Sequence, residues 1–96
     1  MPEGPLTERE RQEVLRTHMP DGRITAIPVR RSARLVLLDQ VARAFEPGVR
    51  YSEAEVNTVL RGFSANVSVL RRGLLDEGFM ECARTRYWRC GGTVEV

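Results

Sequence analysis

The apolar residues of this chain change their period most clearly at Gly78. Before it, apart from a brief weak alternation at residues 24–28, they recur at helical spacing, and beyond it they follow an extended pattern. A chain of 96 residues has enough surface to bury one modest core. Its helices and its terminal strands must therefore share that core. Helices first and a hairpin last predicts an α+β fold of the winged helix-turn-helix type. Three core helices are followed by a β-hairpin wing, with an extra N-terminal helix and a short strand.

The helix boundaries can be read from capping chemistry. Ser52 followed by Glu55 is a capping box, in which each side chain satisfies a free backbone N–H at the helix start. Tyr51 before the cap and Val56 on the first turn are placed for a hydrophobic staple, and Val56, Val59, Leu60 and Phe63 continue one apolar face. After a break at Ser64 and Ala65, Asn66 caps a third core helix over residues 66–77. Val67, Leu70 and Leu74 turn inward there, and Gly78 suits the left-handed position after the helix. Asp76 and Glu77 in the last turn oppose the helix dipole.

Upstream, Ser32 caps a helix over residues 33–45. Leu35, Leu37, Leu38, Val41, Ala42 and Phe45 make it the most apolar helix and the floor of the core. Thr7 and Glu10 repeat the capping-box spacing before a short helix over residues 8–18, and residues 1–6 read as a frayed leader. Weak alternation at residues 24–28 predicts the short strand, with Pro28 at its edge. The chain divides into a leader and short helix, residues 1–22, and a winged-helix-like domain, residues 23–96. The hairpin strands are expected at residues 79–82 and 87–90, joined by residues 83–86 without the usual glycine or asparagine. Gly91 and Gly92 end it, and residues 93–96 frame its edge or fray.

All fifteen basic residues are arginine, which fits biased coding as well as phosphate recognition, and the net charge is only +2. No apolar run reaches membrane-spanning length and no signal-peptide core opens the chain, so a cytoplasmic protein with no membrane association is expected. Cys82 and Cys90 flank the hairpin. With His18 distant in sequence they make no zinc set, and a reducing cytosol favours two free, partly buried thiols. Glu53 and Glu55 are explained by the helix start, and no nucleophile with its base or phosphate loop is present. Neither an enzyme nor a cofactor is expected.

On the third core helix a helical wheel places Ser68, Val69, Arg72 and Asp76 outward, with Arg71 on the flank. Arginine suits bidentate contact with a guanine edge or a phosphate. Between Arg61 and Arg89 six arginines face Asp76, Glu77 and Glu81. Asn66, Ser68, Arg71, Arg72, Arg84 and Arg86 are thus the candidate nucleic-acid-binding residues. Ser52, Glu55, Asn57, Leu70, Leu74, Gly78 and Trp88 are read as structural. Asn57, inside a helix, ties it to a neighbouring loop. Tyr87 and Trp88 alternate sides of the hairpin, closing a small core or offering a ring to an unpaired base.

The run Tyr51-Ser52-Glu53-Ala54-Glu55-Val56-Asn57, then Leu60, Leu70-Arg71-Arg72, Leu74, Asp76-Glu77-Gly78 and Tyr87-Trp88, resembles the family known as domain of unknown function 2087. Its members carry a Y-[ST]-E-x-E-V-N start, a D-x-x-x-L-R-R-x-L-V-D helix and a Y-W strand. Residues 24–29, with Ile27-Pro28, are similar as well, so the resemblance spans residues 23–89. That family resembles winged-helix domains and occurs alone or behind arsenic-repressor-type DNA-binding domains, which implies a link to transcriptional regulation. Val69-Leu70-Arg71-Arg72-Gly73-Leu74 followed by Gly78-Phe79 also resembles gluconate-repressor-type regulators, where the arginine matching Arg71 commonly contacts DNA. Asn66 stands where the family has aspartate, and Arg84-Thr85 where its wing has Asp-Gly.

A transcriptional regulator binding double-stranded DNA through the third core helix and basic wing is the leading expectation. The alternative is a non-catalytic winged-helix module for protein interaction, with Arg71 and Arg72 holding an acidic partner. A homodimer is also expected, because the helix over residues 8–18 has few anchors to its own core.

Overall fold

The computed structural model describes residues 7–91. The leader expected at residues 1–6 and the closing residues 92–96 lie outside them. Four helices and three strands follow one another as α1 (Glu8–His18), α2 (Arg31–Ala42), β1 (Arg50–Ser52), α3 (Glu53–Arg61), α4 (Val67–Asp76), β2 (Met80–Ala83) and β3 (Arg86–Arg89). The strands form one antiparallel sheet in the order β1-β3-β2. The class is α+β, as the change of period predicts.

Helix α2 lies under the core as expected, but its ends differ. It starts from Arg30, whose side chain makes no cap, and not from Ser32. Arg34 Nη1 donates to the Val29 carbonyl at 3.0 Å, and the Arg34 N–H reaches Arg30 O, so the first turn closes before Ser32 can cap it. The Ser32 hydroxyl is left buried without a hydrogen-bond partner. At the other end the Ala44 and Phe45 N–H groups bond to Val41 O and Ala42 O. This tightened turn swings Phe45 into the core after the helix proper has stopped.

One cluster joins Leu38, Val41, Ala42 and Phe45 to Val56 and Leu60 of α3, Leu70 and Leu74 of α4, and Met80 and Tyr87 of the hairpin. Helix α1 buries no residue fully and rests on α2 through charge. Arg11 Nη2 stands 3.2 Å from Asp39 Oδ2, and Arg43 Nε approaches the same oxygen at 3.7 Å. Asp39 is buried, so this carboxylate sits between two guanidinium groups at the α1–α2 junction.

The short strand is not where the alternation places it. Residues 24–28 are irregular, because the Ile24 N–H goes to Phe63 O and the Thr25 N–H to His18 O, leaving no ladder to form. The third strand is instead β1, paired with β3 in the register Tyr51 to Tyr87. The Tyr51 hydroxyl accepts the Glu46 N–H at 2.8 Å, and its ring meets Phe45 edge-on at 5.1 Å.

The hairpin turn is tighter than residues 83–86. Ala83 pairs with Arg86, so only Arg84 and Thr85 remain in the turn. Arg84 takes the left-handed conformation, φ 57°, a position that costs a side-chain-bearing residue roughly 1–2 kcal/mol. The hairpin base is fixed by Phe79 O, which accepts the N–H groups of both Cys90 and Gly91. Gly91 approaches so closely that a Cβ there would stand 2.5 Å from Gly78 O. Cys82 and Cys90 are both free and both exposed, not partly buried. Cys82 lies opposite Tyr87 and Cys90 opposite Phe79, about 10 Å apart along the ladder, too far for a disulfide.

Candidate nucleic-acid interface

The candidate helix α4 is positioned from its N-terminal side by α3. Ser52 Oγ accepts the Glu55 N–H at 3.1 Å, and Glu55 Oε1 accepts the Ser52 N–H at 2.8 Å, completing the expected capping box. The bond from the Ser52 N–H, then the one from its hydroxyl, hold the Glu55 carboxyl below its ordinary pKa, with Arg86 adding a smaller electrostatic pull. A carboxyl whose pKa is depressed on folding stabilises the fold above its unfolded pKa and loses that contribution as pH falls through the folded one. Urea unfolding at neutral and acidic pH should therefore show a flatter pH response for Glu55→Gln than for the parent. At neutral pH Ser52→Ala is expected to cost roughly 1 kcal/mol. Equal pH responses in parent and Glu55→Gln would contradict the capping role.

The end of α3 is held by a residue that charge counting did not single out. Arg23 Nη1 donates to Arg61 O at 3.0 Å and to Gly62 O at 3.3 Å, satisfying carbonyls that the helix leaves open. In the turn, residues 62–66, buried Ser64 accepts the Asn66 N–H at 3.1 Å. Asn66 occupies the N-cap position of α4 but makes no side-chain cap, contrary to expectation. Ser64, two residues earlier, shapes the entry instead, and the Asn66 residue is exposed.

Helix α4 shows the predicted two faces. Leu70 and Leu74 are buried and Val67 packs partly against the core. Ser68, Val69, Arg72 and Asp76 face solvent, with Val69 52% exposed. The helix ends on Gly78 at φ +79°. The Phe79 N–H reaches Leu74 O and the Gly78 N–H reaches Leu75 O, the paired bonds of a Schellman motif. The carboxylates of the last turn are also provided for: Glu77 Oε2 accepts from Arg31 Nε at 3.1 Å, and Asp76 lies 3.9 Å from Arg72 Nε.

The two neighbouring arginines have different surroundings. Arg71 Nη1 donates to Asn57 Oδ1 at 2.6 Å and lies 3.6 Å from Glu53 Oε1, which ties α4 to α3. Asn57 thus bonds to a helix, not to a loop. The Arg72 side chain is 84% exposed.

On the hairpin, Arg84 and Arg86 are exposed near the tip. Arg89 is buried and contributes nothing to a surface charge: its Nε donates to Gly91 O and its Nη1 to Phe45 O. Tyr87 enters the core, where burial and then the Cys82 thiol raise its hydroxyl pKa. Trp88 takes the opposite side, outside the core cluster and half-buried, with the Arg50 guanidinium 4.5 Å from its ring centre. Desolvation by neighbouring residues, followed by the Glu81 carboxylate, raises the pKa of the exposed Cys90 thiol.

Among the described residues no helix is long and apolar enough to cross a membrane. No curated protein and no solved structure matches the chain. A family model described as an uncharacterized protein conserved in bacteria (DUF2087) matches residues 23–89, well over half of the sequence. That segment runs from the arginine closing α3 to the arginine bracing the hairpin, and the chain belongs to the DUF2087 family.

Proposed function

We propose that the chain is a winged-helix regulator that binds double-stranded DNA, with α4 in the major groove and the β2–β3 hairpin as the wing. The element order α2, β1, α3, α4, β2, β3 supports the winged-helix reading. The observation that carries the DNA reading is the exposed Arg72, aligned with Ser68 on the face of α4 opposite Leu70 and Leu74. Ser68 and the exposed Asn66 suit base edges, Arg72 suits a guanine edge or a phosphate, and Arg84 and Arg86 suit phosphates beside the groove. Arg71, already engaged by Asn57 and Glu53, acts chiefly by setting how α4 is presented.

Titration of the purified protein against a random duplex pool at two salt concentrations tests this reading. Affinity is expected to fall steeply with salt, and Arg86→Ala to reduce the salt slope by about one unit. If Arg72 reads a guanine, Arg72→Ala loses roughly 1–3 kcal/mol of discrimination at one base pair. A second reading, a protein-interaction module, is favoured by half-exposed Val69 at the centre of the same face and by Asp76 beside Arg72. It requires weak salt dependence and no selected duplex. Absence of duplex binding at low salt would remove the DNA reading.

A further inference from the structure

The sheet has a second face, of which the DNA reading uses only Arg86. Cross-strand partners in an antiparallel sheet point to the same side. Arg50, Trp88 and Glu81 are partners in one row, and Ser52, Arg86 and Ala83 in the row next but one. Tyr87, between those rows on the central strand, enters the core, so these two rows lie on the face turned away from it. That face carries the chain's one tryptophan, with Arg50 and Arg86 exposed beside it and Arg84 at the adjoining turn. Glu81 is the acidic member of the two rows.

An indole on an open sheet beside cationic groups suits a ligand that is both flat and anionic. Arg50 already lies over the indole at 4.5 Å. A cation–π contact at an exposed site is weak, so an entering ring can lift the guanidinium and still keep it as a second stacking plane. Arg86, two residues from Trp88 and so about 7 Å along the strand, is within reach of the phosphate attached to such a ring. Glu81 repels phosphate on the β2 side, and the Glu55 carboxylate, which already attracts Arg86, opposes it beyond β1, which leaves the hairpin tip for the backbone.

We propose that this face holds an unpaired nucleotide of a single-stranded nucleic acid. Its base stacks between Trp88 and Arg50, and its phosphate is held by Arg86. A duplex fits poorly, because its bases are already stacked on each other and cannot slip over the indole. The site shares Arg86 with the proposed wing, but its stacking pair, Trp88 and Arg50, takes no part in the duplex reading, so Trp88 variants test it separately from duplex binding.

Tryptophan emission reports on Trp88 alone. Titration with a short mixed-sequence DNA strand at low salt is expected to quench it, and a free mononucleotide to quench it at higher concentration, while the matching blunt duplex quenches it much less. Binding followed by anisotropy of a labelled strand should weaken about tenfold or more in Trp88→Ala and be largely restored in Trp88→Phe. Arg16→Ala, at an exposed arginine of α1 outside both surfaces, should bind the strand like the parent, and circular dichroism confirms that each variant is folded. No quenching by the strand, equal quenching by the duplex, unchanged affinity in folded Trp88→Ala, or loss of strand binding in Arg16→Ala would each overturn the proposal.

Discussion

Leu74→Ala is expected to lower the free energy of unfolding by about 2–5 kcal/mol. Leu74 has no measurable exposure and lies on the inner side of α4, in the cluster that α2, α3 and the hairpin also enter. Removing its side chain deletes buried methyl groups and opens a cavity that four elements would have to collapse to fill. For a domain of this size that is a drop in melting temperature of roughly 10 °C or more. Val69→Ala, on the solvent side of the same helix, should shift stability by no more than about 0.5 kcal/mol. Chemical denaturation of both variants checks the orientation of α4. Similar losses at the two positions would mean that the helix does not present one face to the core.

The second large effect is expected at Asp39. Its carboxylate is buried between Arg11 of α1 and Arg43 just beyond α2, and Asp39→Ala would leave both guanidinium groups at the junction without it. Removing one member of a buried ion pair typically costs 3–5 kcal/mol. Because both arginines keep some contact with solvent, about 3 kcal/mol is the better expectation here. The loss should be uneven. Amide exchange in α1 should accelerate most, since α1 buries no residue fully and this cluster is a main attachment to α2. Uniform acceleration across α1 and α4, or no change in stability, would contradict that role.

The parts of the fold legible in sequence are those that local chemistry decides. The capping boxes at Thr7 and Ser52 and the left-handed Gly78 depend on residues a few positions apart, and they are found where the spacing puts them. Strand β1 was not legible, because three residues cannot display a period. Tyr51 becomes part of a strand only through its pairing with Tyr87, thirty-six positions away. Residues 24–28 fail in the reverse sense: their alternation looks extended, but the Ile24 and Thr25 N–H groups are taken up by Phe63 O, just beyond α3, and by His18 O at the end of α1. For the candidate site, the outward positions Ser68 and Arg72 follow from the helical wheel alone. Charge counting could not distinguish Arg72 from Arg89, since one is exposed and the other braces the hairpin from inside. Nor did it anticipate Arg23, whose contribution depends on two carbonyls far along the chain.

The bond from Arg71 to Asn57 bears on how this surface can change. The side chains that attach α4 to the body include Val67, Leu70, Arg71, Leu74 and Leu75, and three of those it shows to solvent are Ser68, Val69 and Arg72. The two sets do not overlap. Substitutions among the outer three can therefore accumulate without disturbing how the helix is mounted, much as a key blank can be recut while its bow stays the same. A pool of variants randomised at positions 68, 69 and 72 should remain mostly folded, whereas the same diversity at 70, 71 and 74 should not.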